Sequence, residues 1–198
     1  MPYTNIAAST AAVTNRFVAS TNMIVGAYVV ANASPAWQGG CLVTVTHTQV
    51  GGVNDTLGTI TVTGRNLAGE TISETITPSA GGTATGTKIF RVVTDVVGAG
   101  WVINTGNDTI VVGCAAGSYA CGSNGELGGV FVNATAAATV VLSDARGTIA
   151  TLKASIAEGS YLIDADLEFV GYLKVATTST NDITIVHSAT VATNYATA

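Results

Sequence analysis

The segment GTITVTGRNLAGETISETIT, residues 58–77, decides the fold class. Its first half alternates threonine with Ile60 and Val62, the period of two that is typical of a half-buried β-strand. After the turn-forming residues NLAG, its second half places Ile72 and Ile76 on one face. The segment therefore predicts an antiparallel β-hairpin.

The whole chain shares the composition of this hairpin. It contains 31 Thr, 25 Val and 13 Ile, so 69 of its 198 residues are β-branched. Such side chains favour strands over helices because their χ1 angle is restricted. Many short runs separated by turns, including a near-continuous apolar run at residues 22–31, predict an antiparallel all-β protein. We expect two tandem β-sandwich domains, Ig-like or jelly-roll-like.

Composition divides the chain into predicted segments. Residues 1–20 are small, polar and aperiodic, and they predict an extended N-terminal arm that a neighbouring subunit orders. Residues 21–116 predict an N-terminal β-sandwich. Residues 117–129 belong to the most glycine-dense stretch and predict a Gly-rich linker. Residues 130–198 predict a C-terminal β-sandwich, whose thin core is expected to lean on the first domain or on another subunit.

The chain carries unusually few charges. Charged residues make up 10% of it, against about 25% in typical proteins, and the net charge is −5. The seven basic residues are scattered between Arg16 and Lys174, which argues against a nucleic-acid partner. No apolar run reaches the roughly 18 residues of a membrane-spanning helix, and no secretory signal is recognisable. We therefore expect neither nucleic acid nor membrane as a partner.

The three cysteines leave two interpretations open. Cys114 and Cys121 bracket a glycine-containing segment and would be joined if the flanking backbone runs side by side. Alternatively, all three cysteines are buried or reduced thiols, as their odd number without a signal peptide suggests. A zinc site would need more ligands than these cysteines and two distant histidines supply.

Neither histidine carries a catalytic signature. His47 and His187 each end an alternating run, on the side of their apolar neighbours. A catalytic histidine needs a positioned nucleophile or carboxylate, and the sequence has no Gly-x-Ser-x-Gly or His-Glu-x-x-His motif. We expect both histidines to be hydrogen-bonded structural residues, and we expect the protein not to be an enzyme.

Asp164, Asp166 and Glu168 form the one concentrated group of carboxylates, spaced by two along a predicted strand. Their alternate Cβ atoms would lie about 6 to 7 Å apart on one face. Such a face is most often simply solvated. A Ca²⁺ site or an inter-subunit contact is a second interpretation, and catalysis by a carboxylate pair is a third.

Glu74 and two tryptophans are the remaining candidates. Glu74 shares the predicted inward face of the hairpin, so a bulge, a strand end or a partner such as Arg65 has to accommodate its charge. Trp37 and Trp101 lie in glycine-flanked segments. They are expected either to plug the ends of a sandwich or, as an exposed pair, to bind glycans by stacking.

Two parts of the chain resemble tailed-phage virion proteins. Residues 58–77 fit a hairpin that recurs there, with the pattern TVTGxxxxGxxxxETIT. Residues 147–161, continued by residues 172–177 and 182–186, are similar to small β-sandwich modules of phage head and decoration proteins. The resemblance is one of composition, rich in Thr, Val, Gly and Ala, so it assigns no functional residue to this chain.

This resemblance implies a capsid decoration (cement) protein, made in the host cytoplasm and placed on the outer surface of the virion. Such proteins are rich in β-structure, are often trimers, and stabilise the shell by many modest contacts with the major capsid protein. The expected partners are copies of the chain itself and other virion proteins. A tail, collar or fibre component and a glycan- or receptor-binding module are the alternatives.

Overall fold

The computed structural model describes residues 3–7, 9–51, 56–102, 107–161 and 167–189. These residues form antiparallel β-structure with a short 3-10 helix at Met23–Val25, so the predicted all-β class is confirmed. No helix in the described ranges is long and apolar enough to cross a membrane. The strands are β1 (Tyr3–Ile6), β2 (Val13–Asn22), β3 (Ala27–Tyr28), β4 (Cys41–Thr48), β5 (Thr59–Arg65), β6 (Thr71–Ile76), β7 (Thr83–Phe90), β8 (Val92–Ala99), β9 (Thr109–Cys114), β10 (Ser118–Cys121), β11 (Gly125–Ala134), β12 (Val140–Asp144), β13 (Gly147–Leu152), β14 (Gly159–Tyr161), β15 (Leu167–Phe169), β16 (Leu173–Thr177) and β17 (Asp182–Ala189).

The chain forms two compact units, each assembled from separate segments. The N-terminal unit consists of Ala12–Ala36 and Gly40–Ala116. The C-terminal unit consists of Met1–Ala11, Trp37–Gly39 and Gly117–Ala198. The C-terminal unit therefore includes two segments from the N-terminal half of the sequence, which differs from the predicted succession of two uninterrupted domains.

The N-terminal unit contains two four-stranded antiparallel sheets, β2–β9–β4–β7 and β3–β8–β5–β6. In the second sheet, β5 and β6 form the predicted hairpin, in which Ile60 pairs with Ile76 and Arg65 with Thr71. Gly69 in the turn has φ of +84°, a conformation that L side chains rarely adopt. Buried apolar side chains come from both sheets and include Phe17, Val43, Val45, Ile60, Val62, Phe90, Val93, Val96, Ile110 and Val112.

A neighbouring segment covers the outer edge of β2. The backbone N–H of Ala31 donates to the oxygen of Phe17 at 2.8 Å, and the side-chain amide of Asn32 donates to the oxygen of Arg16 at 3.1 Å. The Arg16 Nε donates in turn to the backbone oxygen of Ser34 at 2.7 Å. Unpaired strand edges recruit other chains, so this cover removes one route to uncontrolled association.

The C-terminal unit also contains two antiparallel sheets. One has the order β1–β17–β11–β14, with β15 also paired to β11, and the other has the order β10–β16–β12–β13. One apolar cluster draws on both sheets, which is the arrangement of a β-sandwich. The cluster includes Ile6, Leu127, Val130, Ile183 and Ile185 from the first sheet, and Val140, Leu142, Leu173 and Val175 from the second.

The predicted N-terminal arm, residues 1–20, is not an arm in the described part of the chain. Tyr3–Ile6 forms β1 and pairs with β17, with Tyr3 opposite Val186. Val13–Asn22 forms β2 and pairs with β9. Both strands are ordered by partners in the same chain that are distant in sequence, so no neighbouring subunit is needed.

The predicted linker, residues 117–129, also differs, because it contains β10 and the first half of β11. Two of its glycines, Gly117 and Gly125, lie where a side chain would overlap neighbouring atoms. A Cβ on Gly125 would overlap the backbone oxygen of Ser188 and the ring of Phe169. The glycine density here reflects the close approach of neighbouring strands rather than chain flexibility.

The apolar run at residues 22–31 does not form the predicted strand. The Asn22 side chain accepts a hydrogen bond from the backbone N–H of Ile24 and begins the 3-10 helix, after which β3 contributes two residues. Ile24, Val25 and Val29 are exposed, with Val29 at 84% of its full accessibility. An apolar run that sequence rules place in a core therefore lies partly on the surface.

Candidate functional site

The outer face of the β3–β8–β5–β6 sheet is nearly uncharged. Burial alternates along these strands, so every second residue is left at the surface or half-buried. Asp95 lies opposite Thr63 and Arg65 ends β5, so these two charges lie toward one end of the face. A third charge borders it, because Lys88 Nζ donates to the backbone oxygen of Ser73 at 2.8 Å. We call the remaining set the threonine face; its members are Ala27, Thr59, Thr61, Thr63, Thr71, Ser73, Thr75, Val97 and Ala99.

Several hydroxyls of the threonine face bond to one another across strands. Thr61 Oγ1 lies 3.2 Å from Thr75 Oγ1, and Thr63 Oγ1 lies 3.4 Å from Ser73 Oγ. Cross-strand pairs of this kind stabilise a sheet. They also lower the cost of removing the face from water, because the hydroxyls keep a partner when water leaves.

Exposed apolar side chains adjoin the threonine face. Ala27 on β3 pairs with Val97 on β8, and the 3-10 helix that carries Ile24 and Val25 contacts β8. Val29 follows β3 directly. These exposed apolar side chains therefore lie beside the β3 edge of the sheet that carries the threonine face.

His47 is buried near the end of β4, where two neighbouring groups hold its ring. Its Nε2 lies 3.1 Å from Oδ2 of Asp108, and its Nδ1 accepts a hydrogen bond from the backbone N–H of Gly81 at 3.0 Å. Asp108 Oδ1 accepts a hydrogen bond from the backbone N–H of Val50 at 2.6 Å. Because Nδ1 is an acceptor, the proton of the neutral ring lies on Nε2 and is donated to the carboxylate.

This buried pair stabilises the fold and is not arranged as a catalytic dyad. The side chains of His47 and Asp108 are 1% and 0% exposed. The nitrogen that would act as a base already accepts the Gly81 N–H, and a substrate would have no access to it. The pair instead links three connecting segments of the chain: the one that follows β4, the one that precedes β7 and the one that precedes β9.

His187 is the second buried histidine, and its environment is largely apolar. Its Nε2 lies 3.4 Å from Thr4 Oγ1, and its ring meets Phe169 edge-on, with centroids 6.4 Å apart. Burial lowers the pKa of His187, because a charged imidazole loses its hydration there. In the described ranges its Nδ1 has no hydrogen-bond partner. His187 is thus held in the neutral form near neutral pH.

The predicted carboxylate group is described at one of its three positions. Asp164 and Asp166 lie outside the described residues, and Glu168 is exposed on β15. Glu168 lies directly opposite Glu126 of β11, a like-charge pairing that destabilises a sheet slightly. Among the described residues no three His, Cys, Asp or Glu side chains come together as a metal-binding group. The proposed Ca²⁺ site therefore gains no support from this part of the chain.

Asp144 is the buried carboxylate beside this region, at the β12–β13 turn. Its Oδ2 accepts hydrogen bonds from Arg146 Nε at 2.8 Å and from the backbone N–H of Val170 at 2.9 Å. Burial opposes its ionisation, but the bonds from the Arg146 side chain and from the amides of Val170 and Arg146 outweigh burial and lower the pKa of Asp144 to about 2. Arg146 also donates to the backbone oxygen of Glu168 at 2.7 Å. The turn is thereby tied to the segment around β15.

The two tryptophans do not form an exposed pair. Trp37 is buried, with 6% of its accessibility left, and it belongs to the C-terminal unit. Trp101 belongs to the N-terminal unit and is half-buried, and its Nε1 and the Tyr28 hydroxyl both lie against Gly98. Trp37 has too little exposed surface to stack on a sugar. The predicted glycan-binding pair is therefore wrong for Trp37 and has no structural support at Trp101.

The cysteines are arranged differently from the pairing considered in the sequence. Cys114 lies on β9 of the N-terminal unit, where its Sγ is 3.0 Å from Sγ of Cys41 on β4. Cys121 lies on β10 of the C-terminal unit, with its Sγ 3.4 Å from Ser123 Oγ. Cys114 therefore faces Cys41 and not Cys121.

Sequence reasoning missed Asp108 and the pairing of Cys41 with Cys114. The core-facing position of His47 indicates that it needs a polar partner, but Asp108 follows 61 residues later and no motif connects them. Cys41 shares a face with Val43 and Val45, which indicates burial without identifying the neighbouring strand. Comparisons with protein-family models, curated proteins and solved structures found no match to this chain.

Proposed function

We propose that this chain is a structural component of a bacteriophage virion, a decoration protein that binds the outer capsid and stabilises it. The observation that carries the proposal is the threonine face, with the exposed side chains of Ile24, Val25 and Val29 near the β3 edge of its sheet. Exposed apolar side chains beside a sheet face with few charges are typical of a surface that is buried against protein.

The size of this surface favours many weak contacts over one strong contact. Strand spacing and rise give the threonine face an extent of about 15 to 20 Å in each direction, or about 300 to 400 Å². A stable pairwise complex usually buries about 800 Å² on each partner. A single contact of this kind is weak, whereas many copies on a repeating shell gain stability through avidity.

The partners that fit this surface are copies of the chain itself, as a trimer or another oligomer, and the major capsid protein. The net charge of −5 keeps the protein from associating with the packaged nucleic acid. The resemblance of residues 58–77 to virion hairpins supports the same assignment. A tail, collar or fibre position uses the same surface chemistry and is the nearest alternative.

A second candidate function is the binding of glycans by the outer face of the β1–β17–β11 sheet. Tyr3 and Phe131 are exposed there, at 72% and 42%. The amides of Asn5 and Asn133 both donate to Oδ1 of Asp182, at 3.0 and 2.9 Å. Aromatic rings beside hydrogen-bonding amides are the groups that bind sugars. Glycan binding by a monomer in solution would favour this candidate.

The test of the proposed assembly role is the mass of the purified chain by light scattering, with and without a chelator. A trimer or a larger assembly is the expected result, and a monomer at all concentrations would contradict self-association. Loss of the assembly on chelation would show that a bound cation supports it, and Asp164, Asp166 and Glu168 would be the first ligands to substitute. Addition of the chain to empty capsids then tests decoration directly, with retention on the capsid as the expected result.

A further inference from the structure

Cys41 and Cys114 lie on neighbouring strands of one sheet and on the same buried face. Cys114 lies directly opposite Val43, and the backbone N–H of Ala115 donates to the backbone oxygen of Leu42 at 3.0 Å. Cys41, two residues before Val43, is therefore the diagonal neighbour of Cys114 in the sheet. Both side chains are fully buried. Their Sγ atoms are 3.0 Å apart, so each sulfur is the other's immediate neighbour.

We propose that Cys41 and Cys114 form an intramolecular disulfide when the protein meets a peroxide oxidant. A disulfide requires sulfurs about 2.05 Å apart, so the two atoms have to approach by about 1 Å. That shift is small, and the sulfurs already point toward each other. Cys121 does not compete, since its sulfur lies beside Ser123.

The reaction is a two-electron oxidation that balances with hydrogen peroxide. One sulfur, as thiolate, attacks the peroxide; an S–O bond forms, the O–O bond breaks, and hydroxide leaves to become water with the thiol proton. The second sulfur then attacks the sulfenic sulfur; the S–S bond forms, the S–O bond breaks, and a second water leaves. Two thiols are oxidised, and one peroxide is reduced to two waters.

The surroundings of the pair control how fast this reaction proceeds. The hydrogen bond to Cys114 and burial raise the pKa of the Cys41 thiol, while Arg16 opposes that rise. The reactive thiolate is therefore scarce at neutral pH. We expect slow cross-linking of the folded protein that accelerates in mildly alkaline solution.

The cross-link would fix β4 to β9, which are the two inner strands of the β2–β9–β4–β7 sheet. The cysteines are 73 residues apart in sequence, so the disulfide closes a long loop that contains β5 to β8. Closing a long loop restricts the unfolded chain and raises thermal stability. We expect the oxidised protein to melt about 10 °C above the reduced protein. This cross-link is independent of the assembly role proposed above.

The test is peroxide treatment of the reduced full-length chain, followed by intact mass and tryptic mapping without reduction. The expected results are a loss of about 2 Da per chain and a linkage between the peptides of residues 17–65 and 92–146. Because residues 92–146 also contain Cys121, the Cys121→Ser variant is treated in parallel and should give the same linkage and the same rise in melting temperature. Cys114→Ser should lose both.

Three results would overturn the proposal. They are an unchanged mass with all thiols still open to alkylation after denaturation, addition of oxygen without the loss of hydrogen, and a linkage confined to Cys114 and Cys121. If Cys114→Ser fails to fold, the melting temperatures of the oxidised and reduced wild-type chain still decide the matter. Equal values would contradict the expected stabilisation.

Discussion

Glu74 on β6 accepts a 2.6 Å hydrogen bond from the backbone N–H of Thr87 on β7. Its other carboxylate oxygen accepts one from the backbone N–H of Lys88 at 3.2 Å. The β4–β7 register shifts at this point, so these amides belong to a bulge and are not all used by the ladder. For Glu74 the sequence left a bulge, a strand end or a partner such as Arg65 as alternatives. Its carboxylate accepts from a bulge on the neighbouring strand β7, and Gly86 makes room for it.

Replacing Glu74 by alanine should destabilise the N-terminal unit by about 1 to 3 kcal/mol, because the bulge amides lose their acceptor. Urea unfolding followed by tryptophan fluorescence would measure the change. Glu158→Ala, at an exposed glutamate, is the control and should change stability by less than about 0.5 kcal/mol. Equal effects of the two substitutions would show that the bulge does not depend on Glu74.

Replacing His47 by alanine should cost about 3 kcal/mol or more, because Asp108 would keep a buried charge without its imidazole donor. The double variant with Asp108→Asn should recover part of that loss, since the charge is then removed. Chemical unfolding of both variants measures the coupling. Additive effects would contradict the direct interaction of the two side chains.

The strand pattern of the hairpin could be predicted because it depends on neighbours in sequence. Ile60 and Ile76 pair as the alternation requires, and the turn closes at Gly69. The place of β1 could not be predicted, because its partner β17 lies about 180 residues away and its own four residues show no period. Glycine density was misleading for a related reason. Gly125 is required by the close approach of Ser188, which lies 63 residues later in the chain.

Acid should destabilise the C-terminal unit through Asp144. Its pKa is about 2 in the native state against 3.8 ordinarily, so the unfolded chain binds the proton first as the pH falls. The stabilisation is complete above about pH 5 and is lost progressively toward pH 2. Melting temperatures between pH 7 and pH 2 should show Asp144→Asn less stable than wild type at pH 7, with the difference shrinking in acid. A constant difference across that range would contradict the role of the charge. Glu158→Gln, at an exposed glutamate, is the control.

His187 should produce a separate pH dependence, in milder acid. Burial lowers its pKa below the ordinary 6.5, so the unfolded chain is protonated before the native state as the pH falls. Stability from this residue is therefore complete above about pH 6.5 and declines below it. Comparison of wild type with His187→Phe by thermal unfolding between pH 7.5 and 5 should show a smaller decline in the variant. Parallel curves would show that His187 is not the titrating group.

The candidate surface could be predicted only in part from the sequence. The alternation of threonine in β5 indicates an outward hydroxyl face, and the scarcity of charge indicates a surface suited to protein contacts. The exposure of Ile24, Val25 and Val29 could not be foreseen, because a continuous apolar run normally predicts burial. The Asn22 side chain caps a helical turn, so the chain does not continue as a strand here, and the apolar side chains that follow are exposed.

The most direct test of the central claim is a comparison of solution mass between Val97→Asp and Val170→Asp. Both valines are exposed, at 40% and 37%, but Val97 lies in the threonine face and Val170 lies in the C-terminal unit. If copies associate through the threonine face, a buried aspartate there should shift the light-scattering mass from oligomer to monomer, while Val170→Asp keeps the wild-type mass. An unchanged oligomer in Val97→Asp, or equal dissociation of both variants, would contradict assembly through this face.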